Sequence, residues 1–375
     1  MRVLHVFKTY YPDSFGGVEQ VIRQLSAATT QMGLSNRVFT LSRHASATPL
    51  LHDGATSIMR VQTHVDFAST PMSFSATSTF REEVRQADLI HYHYPWPFGD
   101  LLHLIAGQSK PAVLTYHSDI VRQRVLMHVY KPLLRQFFAN VHAIVSTSPN
   151  YLQSSLLLQQ YRNKTTVIPI GLDENSYPAP REERTQYWQS QVGENFFLFV
   201  GVLRYYKGLH ILLDACANSS SRVVIVGAGP VEGDLKRQAT RLGLTNVKFL
   251  GAVSDEDKVA LLKLCRAVVF PSHLRSEAFG VTLLEGAMCG KPLISSEIGT
   301  GSSYVNMDGV TGMVVPPNDP AALRNAMQAI ESNNQLAEEM GRRARERFDA
   351  LFTAKQMAQS YVDLYRQVLR ERGDA

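Results

Sequence analysis

Long apolar runs are missing from these 375 residues: none approaches the roughly 20 residues needed to span a bilayer, which excludes an ordinary membrane-crossing helix. Cysteine is scarce. Cys216, Cys265 and Cys289 are too few and too scattered for a disulfide framework or a cysteine-rich metal site, and they read as core thiols in a reducing compartment. The opening MRVLHVFKTYYPD turns polar too soon for a secretory signal, so a cytoplasmic location is expected. Short-period repeats and low-complexity segments are also lacking. What is present is enough for two cores, because 45% of the residues are hydrophobic and the chain exceeds what a single core usually serves. A formal charge of +5 favours anionic partners without naming one.

Short β-rich runs alternate with helical patterns. In the first half the runs are RVLHV (2–6), NRVFT (36–40), DLIHYH (88–93), AVLTY (112–116), HAIVS (142–146) and TTVIP (165–169). Between the first two, Val18, Val21, Ile22 and Leu25 keep the spacing of an amphipathic helix. A polar stretch, 173–186, reads as a linker, and the pattern restarts with FFLFV (196–200), RVVIV (222–226), VKFL (247–250), AVVF (267–270), PLIS (292–295) and MVV (313–315). Near-continuous apolar strands separated by helices predict parallel sheets covered on both faces. The expected architecture is α/β, with two doubly wound domains in series and a crevice at the carboxyl ends of their strands. The last helical stretch, about 353–372, has no strand after it and is expected to pack back on the first domain.

The residues that carry chemistry cluster where strands end. Gly16 and Gly17 follow the first strand and precede a helix, where a close backbone approach and free N–H groups suit an anion, although taken alone such a pair more often marks a tight turn. In GVLRYYKG (201–208), Arg204 and Lys207 lie between a strand and a helix, placed to clamp a diphosphate or to sit in a solvated basic loop. VGAGP (226–230) lacks the third glycine of a dinucleotide fingerprint, since position 232 is Glu232, and this counts against a nicotinamide dehydrogenase. Asp255, Glu256 and Asp257 form an acidic triplet, yet Ser254 three residues before Asp257 reads as an N-cap and capping box rather than a metal site. His91, His93 and His117 follow strand ends; their spacing is too sparse for a metal, and His117, in TYHSD, is the functional candidate. The segment 276–295, SEAFGVTLLEGAMCGKPLIS, sets Glu277 and Glu285 around a short apolar run.

In order, Gly16-Gly17, TYH at 115–117, Lys207-Gly208, VGAGP and the E-x7-E from Glu277 to Glu285 with FGVT inside it resemble the retaining glycosyltransferases of family 4 with the GT-B fold, over nearly the whole chain. KTYYPDSFGGVEQ (8–20) and GVLRYYKG further resemble bacterial mannosyl- and rhamnosyltransferases that build lipopolysaccharide O-antigen from GDP-sugars. The resemblance implies two Rossmann-like domains facing across a crevice: an acceptor domain over 1–172, completed by the C-terminal helix at about 353–375, and a donor domain over 173–352. It implies that Glu277 accepts hydrogen bonds from donor-sugar hydroxyls and that Glu285 holds the nucleotide ribose, because an ionised acid can accept both protons of a diol. Backbone N–H groups of Phe279, Gly280, Val281 and Thr282 would meet sugar and diphosphate oxygens. Gly16, Gly17, Arg204 and Lys207 would meet the diphosphate without a metal ion, and His117 would orient the sugar.

One departure stands out. Many members of the family carry Arg where this chain has Val202, and Arg204, if the strand continues, would point to the same side and supply the guanidinium. The expected partners are a nucleotide sugar, GDP-mannose or GDP-D-rhamnose, and a polyprenyl-diphosphate-linked glycan, with no cofactor and no nucleic acid. The segment 119–138 mixes Arg122, Arg124, Lys131 and Arg135 with apolar residues, as either an interfacial helix or an ordinary sheet-packing helix does; the first form would place the protein on the inner face of the cytoplasmic membrane. Competing functions are a transferase using a UDP-sugar, a nucleotide-sugar epimerase of GT-B fold, and a catalytically silent binding protein.

Overall fold

A computed structural model describes residues 1–45, 49–120 and 124–373, with side chains left out at 124–127 and 372–373. The chain divides into two compact units, one of Met1–Gly171 joined by the chain from Ala354 onward, the other of Leu172–Thr353. The first division point is one residue from the expected 172, and the second one residue from the expected 352.

The first unit is built on β1 (Arg2–Val6), β2 (Ser35–Ser42), β3 (Leu50–Asp53), β4 (Thr56–Gln62), β7 (Leu89–Tyr94), β8 (Ala112–Tyr116), β9 (Ala143–Ser146) and β10 (Thr165–Val167), with β5 (Val65–Phe67) and β6 (Thr70–Met72) forming a separate ribbon. The sheet order is β10-β9-β8-β7-β1-β2-β4-β3. The sheet is not wholly parallel: β3 runs antiparallel to β4, and the β5–β6 ribbon is also antiparallel. β3, β5 and β6 escape a reading of apolar runs because they are short and mostly exposed or half-buried, so no burial demands such a run of them. β4 alternates buried with half-buried positions and has the same effect.

Strand periodicity sorts the central sheet into two unlike faces. Leu4, Val6, Ile90, Tyr92, Tyr94, Leu114 and Tyr116 join one apolar core with Phe80, Val84, Leu134, Phe137 and Phe138 from covering helices. The alternate positions carry His5, His91, His93 and Thr115, all buried. His91 and His93 therefore lie inside β7, not past its end, which corrects the reading of them as strand-end residues.

The helix Arg124–Asn140 holds most of the basic-apolar segment. Leu134, Phe137 and Phe138 face the core, which settles their side in favour of ordinary packing, whereas Val129 is 82% exposed near exposed Lys131 and Arg135. Arg122 lies outside the described residues, as does the side chain of Arg124. Among the described residues no helix is long and apolar enough to cross a membrane.

The second unit contains β11 (Phe197–Val200), β12 (Val223–Val226), β13 (Val247–Gly251), β14 (Ala267–Phe270), β15 (Leu293–Ser296) and β16 (Gly312–Val315), in the order β13-β12-β11-β14-β15-β16. All its pairings are parallel. Every residue of β11, β12, β14 and β15 is buried, as a sheet covered on both faces requires, with each fully buried Val, Leu, Ile or Phe worth roughly 1.5–3 kcal/mol. The stretch 173–186 is only partly a linker, since a 3-10 turn occupies Glu174–Ser176 and a helix begins at Glu182. Ser254 does cap the helix Asp255–Leu264 by accepting the Asp257 N–H. Asp257 is further committed to Arg184 and to Trp188 Nε1 at 2.8 Å, so the acidic triplet belongs to helix packing.

Both sheets reverse their direction of winding beside their first strand, between β1 and β7 in one unit and between β11 and β14 in the other. Loops leaving the carboxyl ends on either side of such a reversal diverge and leave an opening, which is where ligands bind in doubly wound sheets. In the second unit those loops carry Arg204, Lys207 and Glu277.

Candidate functional site

β11 ends at Val200, and the chain leaves it as an irregular loop that closes into a 3-10 turn, Tyr205–Lys207. That turn swings Lys207 back over the sheet, where its ammonium forms a salt bridge with Glu277 and lies 4.6 Å from the centroid of the Phe270 ring at the end of β14. Burial works against the charge of Lys207, but the Glu277 carboxylate more than offsets it and the ammonium is held above its ordinary pKa. Arg204 is exposed at the start of the turn and close enough to oppose the Lys207 charge. The strand does not continue to Arg204, so the two-residue alternation that would have aligned it with position 202 does not apply. Val202 is itself 44% exposed.

The carboxylate of Glu277 uses one oxygen, Oε2, for Lys207 and for the Ser272 hydroxyl at 3.5 Å. Its other oxygen makes no hydrogen bond among the described residues. Glu285 repeats the arrangement one helix further on. Its Oε1 accepts from Lys258 Nζ at 2.8 Å and from the Tyr177 hydroxyl at 3.0 Å, and Oε2 is left without a hydrogen bond among the described residues. Lys258 also pairs with Asp255 at 2.9 Å. Burial again opposes the charge, and the Glu285 and Asp255 carboxylates raise the ammonium above its usual range.

Between the two acids, Gly280 caps the helix Val281–Met288 in the left-handed region, φ +90°, a conformation that a side chain disfavours. The N–H groups of Val281 and Thr282 open this helix, where no intrahelical acceptor exists for them. The Thr282 hydroxyl donates to Val200 O at 3.0 Å and so ties the helix start to the end of β11. Phe279 is buried, edge-on to Phe352, and fixes the entry of the chain into the helix. Arg204, Lys207, Glu277, Phe279 to Thr282 and Glu285 thus come from two strand-end loops and one helix of the second unit.

In the first unit, Gly16 caps the helix Gly17–Gln31 without a side-chain bond. A Cβ at Gly16 would fall 2.4 Å from Glu19 Oε2, so a side chain there would have to displace that carboxylate. Glu19 in turn accepts from Thr9 Oγ1 at 2.8 Å and Ser14 Oγ at 2.6 Å, fastening both ends of the loop. His117 follows β8 directly, buried, its Nε2 2.9 Å from His93 Nδ1.

Sequence reasoning passed over Glu19, Tyr177, Lys258 and Ser272. Glu19 had a signal, an acid in the first turn after a glycine pair. Tyr177 sat in the supposed linker, and the pairing of Lys258 with Glu285 is a tertiary contact across 27 positions with no local pattern.

Residues 15–176 match the family described as Glycosyltransferase Family 4, and residues 180–347 match Glycosyl transferases group 1. The D-rhamnosyltransferase WbpZ of Pseudomonas aeruginosa is 55% identical over 354 residues, covering 94% of this chain and 93% of that protein. The chain is a family 4 glycosyltransferase. The O-antigen chain mannosyltransferase C of Escherichia coli is 50% identical to it over 372 residues, 99% of this chain and 100% of the relative. Among solved structures the glycosyltransferase is similar to sucrose-phosphate synthase from Thermosynechococcus elongatus, with a TM-score of 0.80 at 22% identity and 99% of each chain covered. It is similar also to Anabaena HepE, with a TM-score of 0.78 at 20% identity, covering 97% of this chain and 99% of that one. These likenesses establish the GT-B fold, two Rossmann-like α/β domains. The glycosyltransferase is a hexosyltransferase, which takes a nucleotide-sugar donor and a glycan acceptor.

Proposed function

We propose that the enzyme transfers mannose or D-rhamnose, with retention and without a metal ion, from a GDP-sugar to a polyprenyl-diphosphate-linked glycan in O-antigen synthesis. The names of the two relatives above support the sugar and the pathway. The observation that carries the chemistry is the matched pair of carboxylates, Glu277 and Glu285, each holding an ammonium with one oxygen and, among the described residues, keeping the other uncommitted. Glu277 offers its open oxygen to hydroxyls of the reacting sugar, and Glu285 offers its own to the ribose. In this reading the second unit binds the donor and the first the acceptor.

As the bond from the anomeric carbon to the phosphate oxygen breaks, negative charge grows on the leaving diphosphate. In the second unit Lys207, Arg204 and the N–H groups at 279–282 supply positive potential there. The acceptor oxygen attacks the same face, and its proton passes to the departing phosphate oxygen, giving the glycoside and free GDP. Glu277 then positions and does not act as nucleophile. His117 orients the sugar. A lipid-linked acceptor is met at an anionic membrane surface, for which the exposed Val129 with Lys131 and Arg135 is suited.

A donor panel tests this reading: GDP-mannose, GDP-D-rhamnose and UDP-glucose, each with lipid-linked acceptor on anionic vesicles and in detergent, with and without chelator. The expected result is release of GDP and an α-linked product that chelator does not diminish. The two GDP-sugars differ by one hydroxyl, and a pocket that hydrogen-bonds this group separates them strongly. Strict use of the UDP-sugar, release of an epimer or free hexose, or loss of activity with chelator would overturn it.

A further inference from the structure

The polar face of the first sheet holds a line of four side chains from four places in the chain. Asn36 Oδ1 lies 3.2 Å from His5 Nε2, His5 Nδ1 lies 3.1 Å from His93 Nε2, and His93 Nδ1 lies 2.9 Å from His117 Nε2. His5 is on β1 and His93 on β7, so the line crosses the point where strand order reverses and ends at a strand-end residue.

The direction of every hydrogen bond in this line follows from its far end. The Asn36 amide nitrogen faces Ser26 O at 2.9 Å, Thr29 Oγ1 at 3.0 Å and Thr30 Oγ1 at 2.9 Å. Ser26 O can only accept, and both hydroxyls already donate, to Leu25 O and Ser26 O respectively, each at 2.8 Å. The amide nitrogen must therefore point that way, and Oδ1 must accept from His5 Nε2–H. Burial keeps these imidazoles neutral, pushing His5 down to about 4 and His117 to about 3, with His93 also well below the usual value. A neutral ring has one donor and one acceptor. With Nε2 donating, His5 Nδ1 accepts from His93 Nε2–H, and His93 Nδ1 then accepts from His117 Nε2–H. The Nδ1 of His117, which has no hydrogen bond among the described residues, is left with its lone pair.

A metal site is the obvious competitor, because ligand atoms of His5, His91 and His93 lie within 4.8 Å of one another. All six ring nitrogens of that trio are already engaged. His91 is held at Nε2 by Thr115 Oγ1 and at Nδ1 by Tyr365 OH, both at 2.7 Å, and the other four nitrogens belong to the line just described. A metal ion would have to dismantle this network.

We infer that Asn36, His5 and His93 are positioning residues that lock His117 in the Nε2–H tautomer and so present its Nδ1 as an acceptor for a sugar hydroxyl. The inference rests on the sugar-orienting reading of His117. Had the amide of Asn36 been reversed, the same four residues would have presented an N–H, which selects a different partner atom on the sugar.

Nitrogen-15 NMR of histidine-labelled protein at neutral pH, with His117 assigned by its absence from His117→Ala, reads the tautomer directly. The expected state is Nε2–H in the free wild-type protein. His93→Phe keeps a ring but breaks the line, and it should let His117 populate Nδ1–H while lowering kcat about tenfold, the loss expected for one neutral hydrogen bond. His93→Gln supplies a donor and an acceptor on neighbouring atoms, as the ring does, and should restore both readouts. An Nδ1–H tautomer in the wild type overturns the inference whether or not any variant folds. So does a folded His93→Phe with wild-type tautomer or turnover. If the tautomer is as expected but His117→Ala turns over sugar like the wild type, the sugar-orienting reading of His117 fails, and the inference falls with it for that separate reason.

Discussion

Both units reverse strand order next to their first strand, but the side chains at the two reversals have little in common. In the second unit they are ions: Lys207 on Glu277, and Lys258 on Glu285, each charge held in a largely dehydrated place by its opposite. In the first they are neutral rings, His5, His93 and His117, whose charge burial has suppressed and whose hydrogen bonds run one way from Asn36. The same backbone geometry thus serves two electrostatic purposes. A charged cluster suits a ligand that carries charge, such as a nucleoside diphosphate, because the ligand can take over one member of a pair that is already formed. A neutral line cannot do this, but it can fix the orientation of a single acceptor atom without attracting a counter-ion.

The contrast breaks most sharply at Glu277. Glu277→Ala leaves the Lys207 ammonium without its carboxylate and removes the open oxygen, and we expect kcat to fall about 100-fold, the loss of a hydrogen bond to a charged group. Steady-state kinetics with circular dichroism to confirm folding check this, and near wild-type kcat would remove Glu277 from the site.

The neutral side of the comparison is tested by acid. Unfolded histidine takes up a proton near 6.5, whereas His5 in the folded protein does so only near 4. Between these values the unfolded chain holds more protons, so stability is complete above pH 6.5 and drains away as pH falls towards 4. His5 alone should cost about 2 kcal/mol by pH 5, read as a lower urea midpoint than at pH 7.5, and His5→Gln should remove that share while the other buried histidines keep theirs. The smallest effect is expected at Glu285. Glu285→Gln still accepts from Tyr177 but weakens the hold on Lys258 and on the ribose. It should raise the donor KM about tenfold with little change in kcat, measured with the GDP-sugar that the panel identifies.

How much of this was legible in the sequence depends on what each element must bury. The strands of the second unit announced themselves, because residues such as Phe197–Val200 and Ala267–Phe270 are covered on both faces and admit only apolar side chains. β3 and the β5–β6 ribbon bury little and left no run to read. Residue types at the candidate site were visible as spacing, above all Glu277 and Glu285 with seven residues between them. Pairing was not, since Lys258 and Tyr177 reach Glu285 from elements whose approach only the folded chain defines. Arg204 shows the opposite error, where a local rule was carried past the end of the strand that justified it. The histidines were legible in part: 91 and 93 share a face by alternation, but that His5 and Asn36 continue the line follows only from the parallel register of β1 with β7 and β2.

The helix Ala354–Gly373 brings Tyr361 and Tyr365 onto Thr115 and His91, each at 2.7 Å, from the part of the chain that follows the second unit. On a ribosome, every residue of the second unit is made before these two hydroxyls exist. Until they arrive, His91 and Thr115 lack partners that the finished protein provides, so of the two sheets the one made first is the later to reach its final state. Nascent protein caught before residue 361 should therefore show a settled second unit beside a first one still open to proteases and chaperones.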